Sequence, residues 1–211
     1  MTEKKPFTLV VAKDGTGDYS TVTEALAALG EEGEPALIYI KKGVYKERLT
    51  IRRPFVTFEG EDMNETVVTY NLGAKMEMED GSRRGTFRSY SVLIDTHDFT
   101  ARNLTFENSA GLGALVGQAL ALYVDGDRIL FDRCRMLASQ DTILQVPFRQ
   151  RKSNQTVLSA PSSMPPGSMA VIITRTALSG EILILFLEAP RHILKTVSCI
   201  PRISAGRSTD M

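Results

Sequence analysis

Apolar positions along this chain come in short clusters rather than in helical stripes. Residues 8–11, 36–40, 56–59, 66–70, 91–94, 103–107, 120–124 and 129–132 are rich in β-branched and aromatic side chains and are separated by Gly, Asp and Asn turns. That is the pattern of strands. Gly43-Val-Tyr-Lys-Glu47 closes a strand expected to begin at Ile38. Only residues 21–29 carry helix grammar: Thr21 and Glu24 make a capping box ahead of an alanine-rich apolar face, so two amides at a helix start would be satisfied reciprocally.

Some strands resemble one another. Val56-Thr-Phe-Glu-Gly60, Leu104-Thr-Phe-Glu-Asn108 and Leu130-Phe-Asp-Arg-Cys134 share an apolar–aromatic–acid core, and Phe106 and Phe131 stand 25 residues apart. A period of twenty-odd residues of strand and turn suits a β-solenoid, in which each coil buries the inner face of the next. An early helix followed by such rungs fits an all-β, right-handed parallel β-helix with a short N-terminal capping helix. An antiparallel sandwich is the alternative that periodicity alone leaves open.

Composition divides the chain. Residues 1–143 hold 22 Asp+Glu and 17 Lys+Arg, whereas residues 144–211 hold three acids, eight Lys+Arg, six of the nine prolines and nine serines. The tail nevertheless contains Ile182-Leu-Ile-Leu-Phe-Leu187, too apolar for a linker and β-prone. The net charge is zero over 25 basic and 25 acidic residues, which removes the usual electrostatic case for nucleic acid or an anionic membrane surface. Two cysteines, Cys134 and Cys199, and two histidines, His97 and His192, lack metal-site spacing, so no metal and no cofactor is expected. Residues 1–6 have no apolar h-region, and no run is long enough to span a bilayer; as written, the chain is expected in the cytoplasm.

Four local patterns follow in order: Gly43-Val-Tyr-Lys-Glu47, Leu104-Thr-Phe-Glu-Asn-Ser-Ala-Gly111, Gly117-Gln-Ala-Leu-Ala-Leu122 and Ser139-Gln-Asp-Thr142. Singly each is an ordinary turn or strand end, and Glu47 by default a surface or structural acid. Together, over residues 7–143, they resemble the pectin methylesterases (pectinesterases). The resemblance implies hydrolysis of the methyl esters of polygalacturonate to pectate and methanol by a monomer acting on pectin or methylated oligogalacturonate, mostly in secreted proteins. It implies Asp141 as general acid/base, protonating the departing methanol and then activating water, and Gln118 and Gln140 as amide donors to the oxyanion. Tyr45 is a further candidate, for binding sugar.

The family's nucleophilic aspartate, in an Asp-Phe-Ile-Phe-Gly strand about one coil later, has no counterpart here, nor do its orienting Arg and groove Trp; the chain has no tryptophan, and the next acid after Asp141 is Glu181. Reading the third base of each tail codon with the first two of the next, with permitted codons, turns the segment from Gly180 into Asp-Ile-Asp-Phe-Ile-Phe-Gly. The tail is therefore expected to be the same gene out of frame from residue 143 or 144: residues 1–143 the front of a truncated β-helix, residues 144–211 an irregular, non-homologous tail that does not cap the open coil. Catalysis is then expected to be impaired or absent. Alternatives are a non-catalytic oligogalacturonate-binding fragment, a nonfunctional truncated product, and a β-helical lyase or polygalacturonase. A lyase would call for a calcium-binding carboxylate cluster and a polygalacturonase for paired catalytic aspartates.

Overall fold

Short β-branched runs punctuated by turns cannot bury an apolar face alone, and here they do so by stacking. In a computed structural model of the chain, residues 7–145 are described, followed by the backbone of three further strands, with side chains described from 7 to 144. The strands are β1 (Phe7–Val11), β2 (Ala36–Ile40), β3 (Gly43–Lys46), β4 (Leu49–Ile51), β5 (Val56–Gly60), β6 (Thr66–Tyr70), β7 (Tyr90–Ile94), β8 (His97–Arg102), β9 (Thr105–Asn108), β10 (Leu120–Val124), β11 (Asp127–Asp132), β12 (Arg135–Leu137), β13 (Ile143–Gln145), β14 (Met169–Arg175), β15 (Ile182–Glu188) and β16 (Ile193–Thr196). The helices are α1 (Val22–Leu29) and the single turn α2 (Gly113–Val116), with a 3-10 turn at Thr86–Arg88.

Successive strands go to successive sheets. One sheet runs β1-β2-β5-β8-β11 and continues into β14-β15-β16, a second runs β3-β6-β9-β12, and a third β4-β7-β10-β13. All pairings through β13 are parallel. This is a three-sided parallel β-helix, as the sequence suggested.

The core is a set of side-chain columns along its axis. Leu9, Ile38, Phe58, Ala101 and Phe131 stand in register in the first sheet and are all buried. Tyr45, Val68, Phe106 and Met136 stand in register in the second sheet, and Leu49, Val92, Leu122 and Ile143 in the third; all are buried except Met136, partly buried, and Ile143, exposed on the last turn. Edge-to-face rings tie columns together: Phe58 to Phe99 at 5.2 Å and Phe106 to Phe131 at 6.1 Å between centroids. Burying each such ring stabilises by about 1.5–3 kcal/mol.

The rung repeat differs from the spacing of the look-alike segments. Thr100 pairs with Leu130 and Thr105 with Arg135, a repeat of 30 residues. Phe106 lies in β9 of the second sheet and Phe131 in β11 of the first. The 25-residue offset thus relates strands of different sheets, which look alike because every inner face asks for the same alternation. Backbone conformation carries the true period: Asp98 and Arg128 (φ 55° and 54°), and Asn103 and Arg133 (φ 56° and 50°), occupy the left-handed region 30 residues apart. At the Asn103 corner the turns come close, because a Cβ on Gly60 would lie 2.3 Å from the Asn103 carbonyl oxygen. The Asn103 side-chain amide donates to the Gly60 and Glu61 carbonyls at 2.9 and 3.1 Å.

The expected strand from Ile38 to Glu47 is bent: residues 41–42 turn the chain from β2 in one sheet to β3 in the next. The helix forms where expected, with Thr21 as N-cap and both capping-box bonds made. Glu47 adds a second acidic cap, accepting from the amides of Val22 and Thr23 at 3.0 and 2.8 Å. Its carboxylate thereby satisfies orphan donors at the positive end of the helix. At the other end Arg53, buried, donates to the carbonyls of Leu29, Glu32 and Glu34.

Where an irregular tail was expected, β14 pairs antiparallel with β11, and β15 and β16 continue antiparallel. The apolar run at residues 182–187 lies in β15. Residues 133–168, which include β12 and β13, separate β11 from β14, so this antiparallel pairing is long-range and not a hairpin. The second and third sheets end at β12 and β13 among the described residues. Cys199 and His192 lie outside the described residues. No group of three or more metal-binding side chains occurs among the described residues, and none of their helices is long and apolar enough to cross a membrane.

Two outcomes follow for stability. Phe58→Ala should lose about 3–5 kcal/mol in urea unfolding, whereas Val44→Ala, at an exposed site, should stay within about 0.5 kcal/mol. Burial alone would raise Asp98, but hydrogen bonds from Arg128 (2.7 Å) and His97 (2.7 Å) overcome it and hold its carboxyl below the usual 3.8. A depressed carboxyl stabilises the fold above its unfolded value and loses that contribution as pH falls through the folded one. Asp98→Asn should therefore flatten the stability profile below about pH 4 while leaving its shape above pH 5 unchanged.

Candidate active site

Strands β10 and β13 are neighbours in the third sheet, Leu122 pairing with Ile143 and Tyr123 with Leu144. The segments entering them carry the motif residues. Gln118 precedes β10, and Gln140 and Asp141 precede β13, so the three lie at one edge of one sheet on consecutive turns. Consecutive strands are about 4.8 Å apart. Thr142 fixes the register there, its carbonyl accepting from the amides of Ala121 and Leu122 at 3.0 and 3.2 Å.

Both entering segments are tied down. The Gly113 amide donates to Ser139 Oγ at 2.9 Å, joining the start of α2 to the residue before Gln140. The Gln140 side chain packs against Gly113, where a Cβ would lie 2.7 Å from it and would displace it. Gln140 and Asp141 both have positive φ, 58° and 25°, a backbone that non-glycine residues hold only when surroundings impose it. The segment holding Gln118 is strapped from the other side. Ala74 donates to the Gln118 carbonyl at 2.8 Å and Lys75 to that of Val116 at 2.9 Å, while Lys75 Nζ donates to the Ala114 carbonyl at 2.8 Å. Asn108, from the second motif, donates through its buried amide to the carbonyls of Leu72, Ser89 and Leu120, knitting three segments at this edge.

Gln118 is half-buried, and Gln140 and Asp141 are exposed, so a ligand can reach them from outside the coil. An aromatic row joins β7 and β10 of the same sheet to the 3-10 turn ahead of β7. Phe87 and Tyr123 have centroids 6.4 Å apart, Tyr123 and Tyr90 5.9 Å, and the Arg48 guanidinium stacks 4.1 Å from the Tyr90 centroid. Burial, then the Asp125 carboxylate, pushes the Tyr123 phenol up. Asp125 is itself raised by burial and by Asp95.

Tyr45 does not belong to this edge. It is fully buried, and its hydroxyl donates to the Lys41 carbonyl at 2.8 Å; it fills the core column of the second sheet and has no face for a sugar. Gly43–Glu47 is thus structural throughout, Tyr45 packing the core and Glu47 capping α1. The contributions of Ser139, Gly113 and Lys75 were invisible in the sequence, since each depends on which turns become neighbours. Cys134 is partly buried, its thiol pushed up to about 12, mainly by desolvation, and it takes no part.

This arrangement can be set beside proteins already known. The Pectinesterase family model matches residues 8–164. A pectinesterase of Daucus carota is 41% identical over 145 residues, covering 67% of this chain and 43% of the relative. Pectinesterase 31 of Arabidopsis thaliana is 40% identical over 141 residues, covering 63% and 44%. Among solved structures, a pectin methylesterase in complex with a hexasaccharide superposes with a TM-score of 0.63 at 33% identity, over 67% of this chain and 46% of that one. Pectin methylesterase from carrot gives 0.59 at 37% identity, over 68% and 44%. The chain spans a quarter to a half of the length of the curated relatives it matches. With its coil, its ordered motifs and this match to most of its length, the chain belongs to the pectinesterase family.

Proposed function

We propose that the site serves hydrolysis of the methyl esters of polygalacturonate, and that this chain carries the proton-transfer and oxyanion half of it. The observation that carries the reading is the placement of Gln118 and Gln140–Asp141 on consecutive turns at one sheet edge, latched through Gly113 and Ser139. In this reaction a carboxylate attacks the ester carbonyl. The amides of Gln118 and Gln140 donate to the oxygen that gains charge, and Asp141 gives its proton to the departing methanol. Water then attacks the acyl-enzyme, with Asp141 taking back a proton.

The attacking aspartate is not encoded in the frame that residues 144–211 follow. The proposal includes that this tail is the out-of-frame continuation of the same gene, and that the 211-residue chain binds pectin as a monomer with little or no turnover. The aromatic row of Phe87, Tyr123 and Tyr90 favours binding, because flat rings stack on sugar faces and stay rigid at small entropic cost.

Methanol release from methylated pectin by the purified chain should not exceed background, and Asp141→Asn should leave it there. Release well above background that Asp141→Asn abolishes would overturn the impaired state. Replacing residues 144–211 with the alternative-frame translation should restore release, and Gln118→Ala in that protein should cost about 10²–10³ in kcat. The latch has its own readout: Ser139→Ala should speed hydrogen exchange of the Gly113 amide by about tenfold, the loss of one hydrogen bond.

A further inference from the structure

The short helix α2 stands between two residues of the candidate site: Gln118 follows its C-cap, Gly117, and Gln140 packs against its first residue, Gly113. Little holds this helix from within. A single turn is too short to persist alone. Its N-cap, Leu112, makes no side-chain bond, its last turn has no cation, and its one buried residue is Gly113. Leu112 and Leu115 are 72% and 74% exposed, so packing gives it little anchorage. The Gly113 carbonyl accepts from the Gly117 amide at 2.8 Å, but the carbonyls after it fall at the helix end and have to find partners outside.

Those partners come from an arm rooted in the coil between β6 and β7. Residues 73–85 fold back on themselves: Glu77 bridges antiparallel to Arg83, Met78 donates to the Ser82 carbonyl at 2.8 Å, and Gly85 to that of Ala74 at 2.9 Å. The arm lies close on α2, since a Cβ at Gly73 would sit 2.5 Å from the Val116 carbonyl oxygen. Lys75 makes three contacts there. Its amide donates to the Val116 carbonyl at 2.9 Å and its ammonium to the Ala114 carbonyl at 2.8 Å. Its stem lies over Gly117, where a Cβ would be 3.0 Å from Lys75 Cγ. A cation at the carbonyl end of a helix complements its dipole, and α2 receives one from 39 positions away.

At its other end α2 is tied to the turn before β13, the Gly113 amide donating to Ser139 Oγ at 2.9 Å. Hydrogen bonds thus hold the helix from both sides, the arm at one end and the Ser139–Gln140 turn at the other. Resting on the reading of Gln118 and Gln140 as amide donors to the oxyanion, we infer that α2 is the spacer that sets these two amides relative to each other, and that Lys75 is the positioning residue that fixes it. Four helical residues rise about 6 Å, and one glutamine is seated at each end of that length. If the turn frays, both amides lose their setting together. Lys75 acts through the carbonyls of α2 and not on the reacting atoms.

The test is nuclear magnetic resonance on the isotope-labelled, 211-residue chain, following the side-chain carboxamides of Gln118 and Gln140 and the exchange of the Gly117 amide. Lys75→Ala and Lys75→Met are expected to shift both carboxamides, to raise their fast motion, and to speed Gly117 exchange about tenfold, the loss of one hydrogen bond. Lys75→Arg keeps a stem, a charge and a donor, and should return both carboxamides towards their native positions. Exchange of the Phe106 amide, in β9, reports the coil and should stay as it was. Unchanged carboxamides in Lys75→Ala, a response confined to Gln118, or a change that Phe106 shares equally would overturn the inference. Fully methyl-esterified hexagalacturonate added to the unaltered chain should shift both carboxamides as well. No shift there would sink the pectin reading, and with it the role given to the two amides, whatever the Lys75 variants show.

Discussion

Lateral stacking of identical inner faces is the constraint on which the rest of this molecule depends. A three- or four-residue strand such as β3 or β4 has no stability alone. It persists because Tyr45 and Leu49 sit on Val68 and Val92 of the next turn. Each column hands its requirement on: if one turn places a large ring inward, its neighbour must leave room, as Ala101 does between Phe58 and Phe131. The candidate site inherits its precision from this. Gln118 and Asp141 are far apart along the chain, yet the column from Leu122 to Ile143 sets their turns one strand spacing apart.

Much of the coil was legible in the sequence, since eight strands announce themselves by β-branched and aromatic density. Those that did not are short or polar. His97–Arg102 contains a histidine, an aspartate and an arginine, and the first two are drawn into a network with Arg128 that only the neighbouring turn can supply. Gly43–Lys46 seemed to continue the strand before it because nothing in the composition of residues 41–42 marks a corner. The 25-residue spacing misled for a similar reason. Inner faces of all three sheets obey one alternation, so similarity of strands does not reveal which sheet each joins. The positive-φ residues do, but at two of those corners the residue is arginine, from which such a conformation is not read.

The site divides the same way. Gln118, Gln140 and Asp141 could be nominated from ordered motifs, and the fold brings their segments together. Tyr45 could not be judged, because a tyrosine in a strand is equally able to pack or to face a ligand; its hydroxyl bond to the Lys41 carbonyl decides for packing. The latch from Gly113 to Ser139 and the stack of Arg48 on Tyr90 join residues 26 and 42 positions apart. Neither leaves a local mark.

The reversal at β14 has a consequence for growth of the coil. A solenoid extends by templating: the last strand of each face presents amides and carbonyls spaced for a newcomer of the same polarity. By laying an antiparallel strand on β11, the chain occupies one of the three templates with a strand of opposite sense. Lengthening in step on all three faces stops there, while among the described residues no strand follows β12 or β13 in its sheet. Among the described residues the coil thus ends unevenly, one face capped by a strand of opposite sense and two ending on strands of the coil's own sense.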